Sequence, residues 1–340
     1  MRPTNNPNPP ERTYPVANLH KEFGTYHDTI ALSASQKASL QQSRDAVRRR
    51  IRKHFTDKLE VKPPKFHAQG SYAMGTTVVP INGEFDLDDG IYLQHLDEND
   101  SSEWPRAETV HGWIMDAVDG HTNEPPIDKA TCVRLRYAGQ YHLDLPSYAT
   151  LNSDYLLAVK GDVQWRKTDP KAITDWFRDR VNKVHGEQLR RVVRFLKGWQ
   201  DYQTQKIGKL ANGLILTVLA NNAFRADERD DACLAKTAEA IRSLVTPVFT
   251  VINPVTPYDT LTDRLSDERK KRFQEAIAGL AEAASKAVAH DKPSEASKIW
   301  RKQLGDRFPL LDEDDDKKKS DAAKIAAGFI SMNPPKPWAY

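Results

Sequence analysis

The chain has 340 residues, of which 39% are hydrophobic and 29% are charged, and 50 Lys and Arg nearly balance 47 Asp and Glu. So small a cationic surplus does not mark a dedicated nucleic-acid-binding protein, and the length is ample for two domains. Two cysteines, Cys132 and Cys233, are too few for a disulfide framework or a thiolate zinc cluster.

Nothing in the sequence predicts a membrane partner or secretion. The most apolar run, residues 213–220, is far shorter than the roughly 18 residues that a transmembrane helix needs. The N-terminus has no apolar segment of the kind that a secretory signal requires. We therefore expect a cytoplasmic protein with no stable nucleic-acid partner.

The N-terminal region combines a proline-rich arm with a long helix. Residues 1–15 carry five prolines, which predicts a poorly ordered arm, and we extend this flexible arm to residue 34. A helix is then predicted from about Ser35 to Lys58, because apolar residues follow helical spacing at Leu40, Val47, Ile51 and Phe55. The same helix carries a basic run, Arg44, Arg48, Arg49, Arg50, Arg52 and Lys53. A solvated face explains this run better than a nucleic-acid or phosphate contact, because no aromatic residues are interleaved.

Residues 65–155 have the pattern of a mixed sheet with a few helices. Short segments rich in β-forming residues occur at Phe85–Leu93 and Cys132–Tyr137, and Tyr141–Leu145 alternates polar with apolar residues. Between them, Ala107–Val118 predicts a helix. We assign residues 35–165 to one core domain.

The second half is mainly helical, and we assign residues 166–310 to a helical domain. Asp169 and Pro170 open a helix, a buried helix begins near Leu214, and further helices are predicted at Thr260–Ala287 and Ser294–Leu304. The last segment, 311–340, is predicted to contain a charged loop, a last helix and a flexible tail. The acidic and basic block at Asp312–Lys319 favours a solvated loop over a metal site, since consecutive acids cannot all face one ion.

A short Gly-Ser pair follows the segment at residues 65–68. Gln69, Gly70 and Ser71 precede a predicted helix, and glycine there would let the backbone approach a phosphate closely. Such pairs are common in turns, so this signal alone is weak.

Two acids lie two residues apart in the next predicted strand. Asp86 and Asp88 would project from one strand face, with Leu87 on the other. A divalent cation would remove the repulsion between adjacent carboxylates. An acidic turn formed by Asp88, Asp89 and Gly90 explains the pair equally well.

A third acid lies on the strand that contains His142 and Asp144. A neighbouring antiparallel strand could bring Asp144 beside Asp86 and Asp88, and three carboxylates suit two magnesium ions. His142 needs no metal role, because no other histidine or cysteine has zinc-ligand spacing. We expect it to be solvated or hydrogen-bonded.

The ordered set of motifs resembles the DNA polymerase β-like nucleotidyltransferase superfamily. Within that superfamily it is similar to the bacterial cyclic GMP–AMP synthase-like enzymes, the CD-NTases of CBASS anti-phage signalling. The resemblance covers roughly residues 35–310. It rests on Gln69–Tyr72, Asp86–Tyr92, Thr131–Arg134, Asp144–Tyr148, Trp165–Pro170 and Arg194–Trp199.

The resemblance implies an α+β fold and a set of site residues. The fold would be a mixed-sheet nucleotidyltransferase core with a long N-terminal spine helix and a C-terminal helical domain that completes the nucleotide pocket. Asp86, Asp88 and Asp144 would hold two Mg²⁺ ions, which Mn²⁺ could replace. The implied nucleotide-binding residues are Gln69, Gly70, Ser71, Arg134, Thr168, Lys197, Asn212 and Asp259. The family often has serine where this chain has Asn212.

The implied reaction is nucleotidyl transfer performed twice, which gives a cyclic di- or trinucleotide and pyrophosphate. Purine NTPs, ATP and GTP, are the expected substrates. The implied partners are a downstream effector that the product activates and an accessory regulator of the same defence system. Two alternatives stay open at this point. One is a polymerase β-like transferase that acts on an RNA, protein or small-molecule acceptor, and the other is a nucleotide-binding regulator with an inactive site.

Overall fold

The computed structural model describes residues 17–137, 141–161 and 163–321. The elements of the first half are α1 (His20–Ile30), α2 (Ala34–Asp57), β1 (Lys65–Gln69), α3 (Gly70–Met74), β2 (Phe85–Tyr92), α4 (Ala107–Val118), β3 (Ile127–Asp128), β4 (Val133–Tyr137), β5 (Tyr141–Leu145), β6 (Ser147–Leu151), β7 (Asp154–Val159) and β8 (Gln164–Lys167). Those of the second half are α5 (Pro170–Arg180), α6 (Glu187–Ile207), α7 (Gly213–Ala223), α8 (Asp230–Val245), α9 (Asp267–Ala289) and α10 (Pro293–Leu304). None of the described helices is long and apolar enough to cross a membrane.

The strands form one mixed sheet with β2 near its centre. The strand order is β3-β4-β5-β2-β6-β7-β8, and β1 pairs with β2 in the antiparallel direction. β2 runs parallel to both β5 and β6. The expectation of an antiparallel neighbour for β2 at this place is therefore wrong, because the strand that carries Asp144 runs in the same direction as β2.

The long helix α2 confirms the predicted spine helix and covers one face of the sheet. Ser33 begins it with a capping box, in which its hydroxyl accepts from the backbone N–H of Gln36. Its buried side chains are those that set the sequence pattern, Leu40, Val47, Ile51 and Phe55, and they share a core with α4 and the strands.

The basic residues of α2 are not simply a solvated face. Arg48 donates from Nε to Asp89 Oδ2 at 2.7 Å, and Arg50 donates to the backbone oxygen of Asp119 at 2.6 Å. The guanidinium of Arg52 lies 4.8 Å from the centre of the Phe66 ring. The prediction of a solvated face is corrected for these side chains, whose partners come from distant parts of the chain.

A second core joins α1 to the helices of the C-terminal half. Phe23 and Tyr26 of α1 are fully buried, and Phe23 packs edge-on against Phe195 and Trp300. The prediction of a flexible arm over residues 1–34 is therefore corrected for residues 17–34. Residues 1–16 lie outside the described residues.

The charged block near the C-terminus is helical rather than a loop. Residues 313–321 are helical, and the Asp312 carboxylate accepts from the backbone N–H of Asp315 at 3.0 Å, as an N-cap does. Asp316 accepts from the backbone N–H of Ser294 at 2.7 Å, so the segment is docked on α10. The prediction of a solvated loop is wrong here. The remaining predictions for residues 322–340 lie outside the described residues.

Candidate active site

A cavity of about 640 Å³ lies between the sheet and the helical half of the chain. Asp86 and Asp88 of β2 line one side, and Lys197 of α6 also reaches the cavity. The predicted site residues that line it are Gln69, Gly70, Ser71, Asp86, Asp88, Thr168 and Lys197. The fold therefore brings together residues that are more than 120 positions apart in the sequence, from Gln69 to Lys197.

The alternation along β2 separates the cavity from the core. Leu87 is buried with 1% of its surface exposed, whereas Asp86 and Asp88 project from the other face into the cavity. Asp88, Asp89 and Gly90 all lie within the strand. The alternative interpretation of these residues as an acidic turn is therefore wrong, and Asp89 is a fully buried partner of Arg48.

The third acid reaches the first two through the strand register. Asp144 lies directly beside Asp88 in the parallel β2–β5 pair, and Arg134 lies opposite Asp144 on β4. Arg134 donates to Asp144 Oδ1 at 2.6 Å from Nε and to Asp86 Oδ1 at 2.8 Å from Nη2. Its guanidinium thus bridges two of the three acids. Within the described ranges, no three His, Cys, Asp or Glu side chains are arranged as metal ligands.

Asp88 differs from the other two acids because no cation pairs with it. Among the described residues, no hydrogen bond or ion pair reaches its carboxylate. Burial raises the pKa of Asp88 to about 7, and repulsion from Asp144 and Asp86 adds to the rise. The charges of Arg134 and Lys197 act in the opposite direction. Carboxylate oxygens are hard donors of the kind that divalent cations prefer. The donor set therefore suits such an ion by its chemistry, while Arg134 pairs with Asp86 and Asp144 in this structure.

Gly70 is required where α3 approaches the acids. Its φ is +64°, in the left-handed region, and a Cβ at this position would overlap with Asp88 Oδ2. The neighbouring hydroxyl, Ser71 Oγ, lies 3.0 Å from Thr77 Oγ1. The Gln69 amide donates to the Tyr148 hydroxyl at 2.9 Å. The Gly-Ser pair is thus held against the carboxylate of Asp88 by polar contacts on both sides.

Lys197 supplies a cation to the cavity from α6. Its Nζ donates to Thr76 Oγ1 at 3.0 Å and to the Thr76 backbone oxygen at 3.2 Å. Burial lowers the pKa of Lys197 to about 8, and the Arg194 charge lowers it further, while Asp88 acts in the opposite direction. An anionic ligand near Nζ would favour the protonated amine.

Three of the predicted nucleotide contacts, Arg134, Asn212 and Asp259, are not among the residues that line the cavity. Asn212 caps α7 by accepting from the backbone N–H of Ile215 at 2.9 Å. Asp259 accepts from the Asn253 amide at 3.0 Å, and Asn253 is the residue that lines the cavity. Asp259 therefore contacts a residue of the cavity wall rather than the cavity itself. The nucleotide-binding roles of Asn212 and Asp259 stay predictions.

Sequence reasoning missed several polar residues of the cavity, among them Gln200, Thr204 and Asn253. Gln200 and Thr204 follow Lys197 by three and seven residues on α6, which is the spacing of one helical face. That spacing could have identified both from Lys197. Asn253 lies outside regular secondary structure, and no local pattern marks it.

His142 is hydrogen-bonded, as expected. Its Nε2 lies 2.9 Å from Glu84 Oε2, and its Nδ1 lies 3.2 Å from Asp86 Oδ1.

Comparisons with known proteins identify a nucleotidyltransferase domain in the part of the chain that carries the three acids. The family model "Cyclic GMP-AMP synthase DncV-like, nucleotidyltransferase domain" matches residues 64–148. A cyclic GMP-AMP synthase from Escherichia albertii is 28% identical over 203 residues, which are 56% of this chain and 44% of the relative. One from Vibrio cholerae is 24% identical over 312 residues, which are 72% of this chain and 67% of the relative. The match with the Escherichia albertii relative thus covers less than half of that protein's length.

A solved structure shares the fold over nearly the whole described chain. The crystal structure of Vibrio cholerae DncV, a cyclic AMP-GMP synthase, superposes with a TM-score of 0.72 at 20% identity and covers 87% of this chain and 99% of that one. The predicted α+β fold, with its mixed sheet, spine helix and C-terminal helical region, is confirmed.

The mixed sheet, with acids side by side on two adjacent parallel strands, has the fold of the polymerase β-like nucleotidyltransferases. Residues 64–148 thus match a DncV-like nucleotidyltransferase domain, and the chain is similar beyond that domain to curated cyclic GMP-AMP synthases. This family is generally dependent on divalent metal ions. The family prediction made from the sequence motifs is confirmed.

Proposed function

We propose that this chain is a Mg²⁺-dependent cyclic oligonucleotide synthase that joins two or three NTPs, ATP and GTP among them, with release of pyrophosphate. The observation that carries the proposal is the placement of Asp88 beside Asp144, on a cavity that Lys197 also lines, with no ion pair to Asp88 within the part of the chain that the structure describes. The names of the relatives support it, since they include a cyclic GMP-AMP synthase and, from Roseivirga ehrenbergii, a c-di-GMP synthase.

In this proposal, Asp86, Asp88 and Asp144 hold two divalent cations. When bound, such ions lower the pKa of an attacking ribose hydroxyl and stabilise the leaving pyrophosphate. Asp88 contributes most directly, because among the described residues no hydrogen bond or ion pair holds its carboxylate. Gly70 allows the Asp88 carboxylate to lie against the backbone at the start of α3, because its missing side chain leaves room for Asp88 Oδ2.

Arg134 and Lys197 supply the fixed positive charge. Arg134 balances Asp86 and Asp144 in the ligand-free protein. We propose that it turns to the nucleotide phosphates when those acids bind cations, because guanidinium pairs well with phosphate oxygens. Lys197 offsets the charge of the triphosphate, which otherwise repels the attacking hydroxyl. Gln69, Ser71 and Thr168 are proposed to contact the nucleotide from the same cavity.

The proposed reaction consists of two successive nucleotidyl transfers. The ribose hydroxyl of one NTP forms a bond to the α-phosphorus of another, and the bond from that phosphorus to pyrophosphate breaks. The hydroxyl proton is lost to solvent. The linear product then turns within the cavity, and a second transfer closes the ring. The cavity of about 640 Å³ lies within the usual range for small-molecule sites.

The cyclic product is proposed to act on a separate effector protein in anti-phage signalling, with an accessory regulator of the same system. Asn212 and Asp259 are proposed to act at the acceptor nucleotide, Asp259 through its contact with Asn253.

The test is an incubation of purified protein with Mg²⁺ and all four labelled NTPs. The products are digested with phosphatase, and the surviving species are identified by mass spectrometry. A phosphatase-resistant cyclic nucleotide is the expected result, and it should be absent when Asp88→Asn replaces the wild type. Label found only on an added RNA or protein acceptor would contradict the proposal and favour a transferase for such acceptors.

A further inference from the structure

Cationic side chains of the helical half bind the chain segment that follows the Gly-Ser pair. The cations on one face of α6 are Arg190, Arg194 and Lys197. They donate, at 3.1, 2.5 and 3.2 Å respectively, to the backbone oxygens of Met74, Gly75 and Thr76. Arg178 of α5 extends the row, because it donates to the backbone oxygen of Ala73 at 3.1 Å. Four consecutive carbonyls therefore each accept a hydrogen bond from a cation, and we call these four cations the carbonyl clamp.

The carbonyl clamp supports a helix that is too short to be stable alone. Helix α3 has five residues, Gly70–Met74, and helices of that length depend mainly on tertiary contacts. The last carbonyls of a helix lack partners within it, and cations near them interact favourably with the helix dipole. The clamp supplies both the donors and the charge at the C-terminal end of α3, while Gly70 at the other end lies against Asp88.

Ser71 is tied to the clamped segment by two contacts. The backbone N–H of Thr76 donates to the backbone oxygen of Ser71 at 2.8 Å, and Ser71 Oγ lies 3.0 Å from Thr77 Oγ1. A displacement of Gly75 and Thr76 would therefore also displace Ser71. Ser71 lines the cavity and is one of the proposed nucleotide contacts.

Arg194 holds this segment from a position outside the cavity. Unlike Ser71 and Lys197, it is not among the residues that line the cavity, so we expect it to act on a nucleotide through other residues. Its Nη2 donates to Gly75, and its Nη1 donates to His27 Nε2 at 2.5 Å. The guanidinium is thus fixed between α1 and the segment that follows α3.

We propose that Arg194 is a positioning residue for the nucleotidyl transfer. It fixes the backbone at Gly75 and, through Thr76 and Thr77, holds Ser71 where a nucleotide can bind. This inference rests on the proposed function, since it requires that Ser71 contacts an NTP. It adds a route by which α6 controls the geometry of the Gly-Ser pair without touching the nucleotide.

The experiment is a double-mutant cycle on NTP binding. The α,β-methylene analogues of ATP and GTP cannot release pyrophosphate, and the Kd of the tighter one is measured by calorimetry with Mg²⁺. The four proteins are the wild type, Ser71→Ala, Arg194→Ala and the double variant. Arg194→Ala is expected to raise Kd by roughly tenfold, the usual scale for a lost charge-assisted hydrogen bond. In the Ser71→Ala background it should raise Kd by no more than about twofold, because the contact that Arg194 positions is already absent.

The matched control is Arg191→Ala on the same helix. Arg191 pairs with the buried Asp230 of α8 at 2.7 Å, so its loss should lower the urea midpoint at least as much as Arg194→Ala does. Its Kd should nevertheless stay within about twofold of the wild type. If Arg194→Ala fails to fold, Arg190→Ala replaces it in the cycle, because this variant removes the neighbouring bond to Met74.

The possible contrary results have different consequences. An unchanged Kd in Arg194→Ala, or an equal rise in both Ser71 backgrounds, would exclude positioning through Ser71 and leave the synthase proposal intact. An equal loss of affinity in Arg191→Ala would attribute the effect to stability and overturn the inference as well. No binding of either analogue by the wild-type protein would overturn the nucleotide site itself, and this inference would fall with it.

Discussion

Two neighbouring acids of β2 have opposite environments. Asp89 is fully buried on the α2 side of the sheet and accepts two hydrogen bonds from Arg48, one of them at 2.7 Å. Asp88 faces the cavity on the other side, beside Asp144, Asp86 and the backbone of Gly70; among the described residues no ion pair holds its carboxylate, although the charges of Arg134 and Lys197 act on it from a distance. Aspartate is thus stabilised by an ion pair at position 89, whereas at position 88 burial and neighbouring like charges disfavour its charged form.

Other buried acids of the chain resemble Asp89 rather than Asp88. Asp230 accepts from Arg191 at 2.7 Å, and Asp231 accepts from Arg229 and from the backbone N–H of Leu19. Buried charges are normally paired, because an unpaired one costs several kcal/mol. A group whose pKa is perturbed by burial and like charge in a cavity is a candidate functional residue. The contrast therefore marks Asp88 as the centre of the site.

The largest effect is expected when Asp88 is replaced by Asn. The change removes a proposed ligand of the cations while it keeps the side-chain volume. Cations of this kind contribute several kcal/mol to transition-state stabilisation, so cyclic product should fall by about 10³-fold or more. The rate of product formation at saturating NTP and Mg²⁺ measures the effect.

The same substitution should not weaken the ligand-free fold. Asp88→Asn removes repulsion from Asp86 and Asp144, so its urea midpoint without metal should equal or exceed that of the wild type. Normal turnover by this variant, or a clearly lower midpoint, would contradict the account.

Asp89→Asn should have the reverse pattern. It leaves the part-buried guanidinium of Arg48 without its partner, and breaking a buried ion pair in this way costs about 3–5 kcal/mol. The free energy of unfolding from urea denaturation should fall by that amount. Activity per folded molecule should change much less than in Asp88→Asn. Similar activity losses in the two variants would remove the distinction between the two acids.

Gly70→Ala tests the environment of Asp88 through the backbone that lies against its carboxylate. The new Cβ would overlap with Asp88 Oδ2, and a left-handed φ of +64° costs a non-glycine residue about 1–2 kcal/mol. We expect a small loss of stability and a loss of Mg²⁺–NTP binding of about tenfold or more. Gly83→Ala is a suitable control, because its φ is also positive at +86° but nothing lies within 4 Å of its added Cβ. Equal NTP affinity in the two variants would argue against the close approach at Gly70.

The smallest effect concerns pH and Lys197. Burial lowers the pKa of this amine to about 8, so the ligand-free protein loses the proton as pH rises through that value. A bound triphosphate favours the charged form, so NTP affinity should fall by up to about tenfold per pH unit above 8. Kd values between pH 7 and 9 test this expectation. Lys197→Arg should bind with little pH dependence, and an identical slope in both proteins would contradict the assignment.

The sequence predicted which side chains of β2 share one face, but it did not predict the direction of the neighbouring strand. Period-two alternation was sufficient to place Asp86 and Asp88 on one face, because that property depends only on local strand geometry. Strand direction depends on how the chain crosses over, and the sequence interval between β2 and β5 does not encode it. The parallel register that sets Asp144 beside Asp88 therefore had to come from the structure.

The other wrong predictions concern residues whose contacts come from distant parts of the sequence. Arg48 was interpreted as a solvated residue because Asp89, its partner, lies 41 residues away. Helix α1 has only 11 residues, and helices of that length are stabilised mainly by packing, here against Phe195 and Trp300. Neither contact leaves a local pattern that could predict it.

The most direct test of the account is Mn²⁺ binding in the presence of a non-cleavable NTP analogue. Calorimetry would be run on the wild type, on Asp88→Asn and on Asp89→Asn. The wild type and Asp89→Asn should bind the ion, whereas Asp88→Asn should lose this binding while it stays folded. Equal Mn²⁺ affinity in all three proteins would contradict the claim that Asp88 is an acid whose charge is reserved for a bound cation.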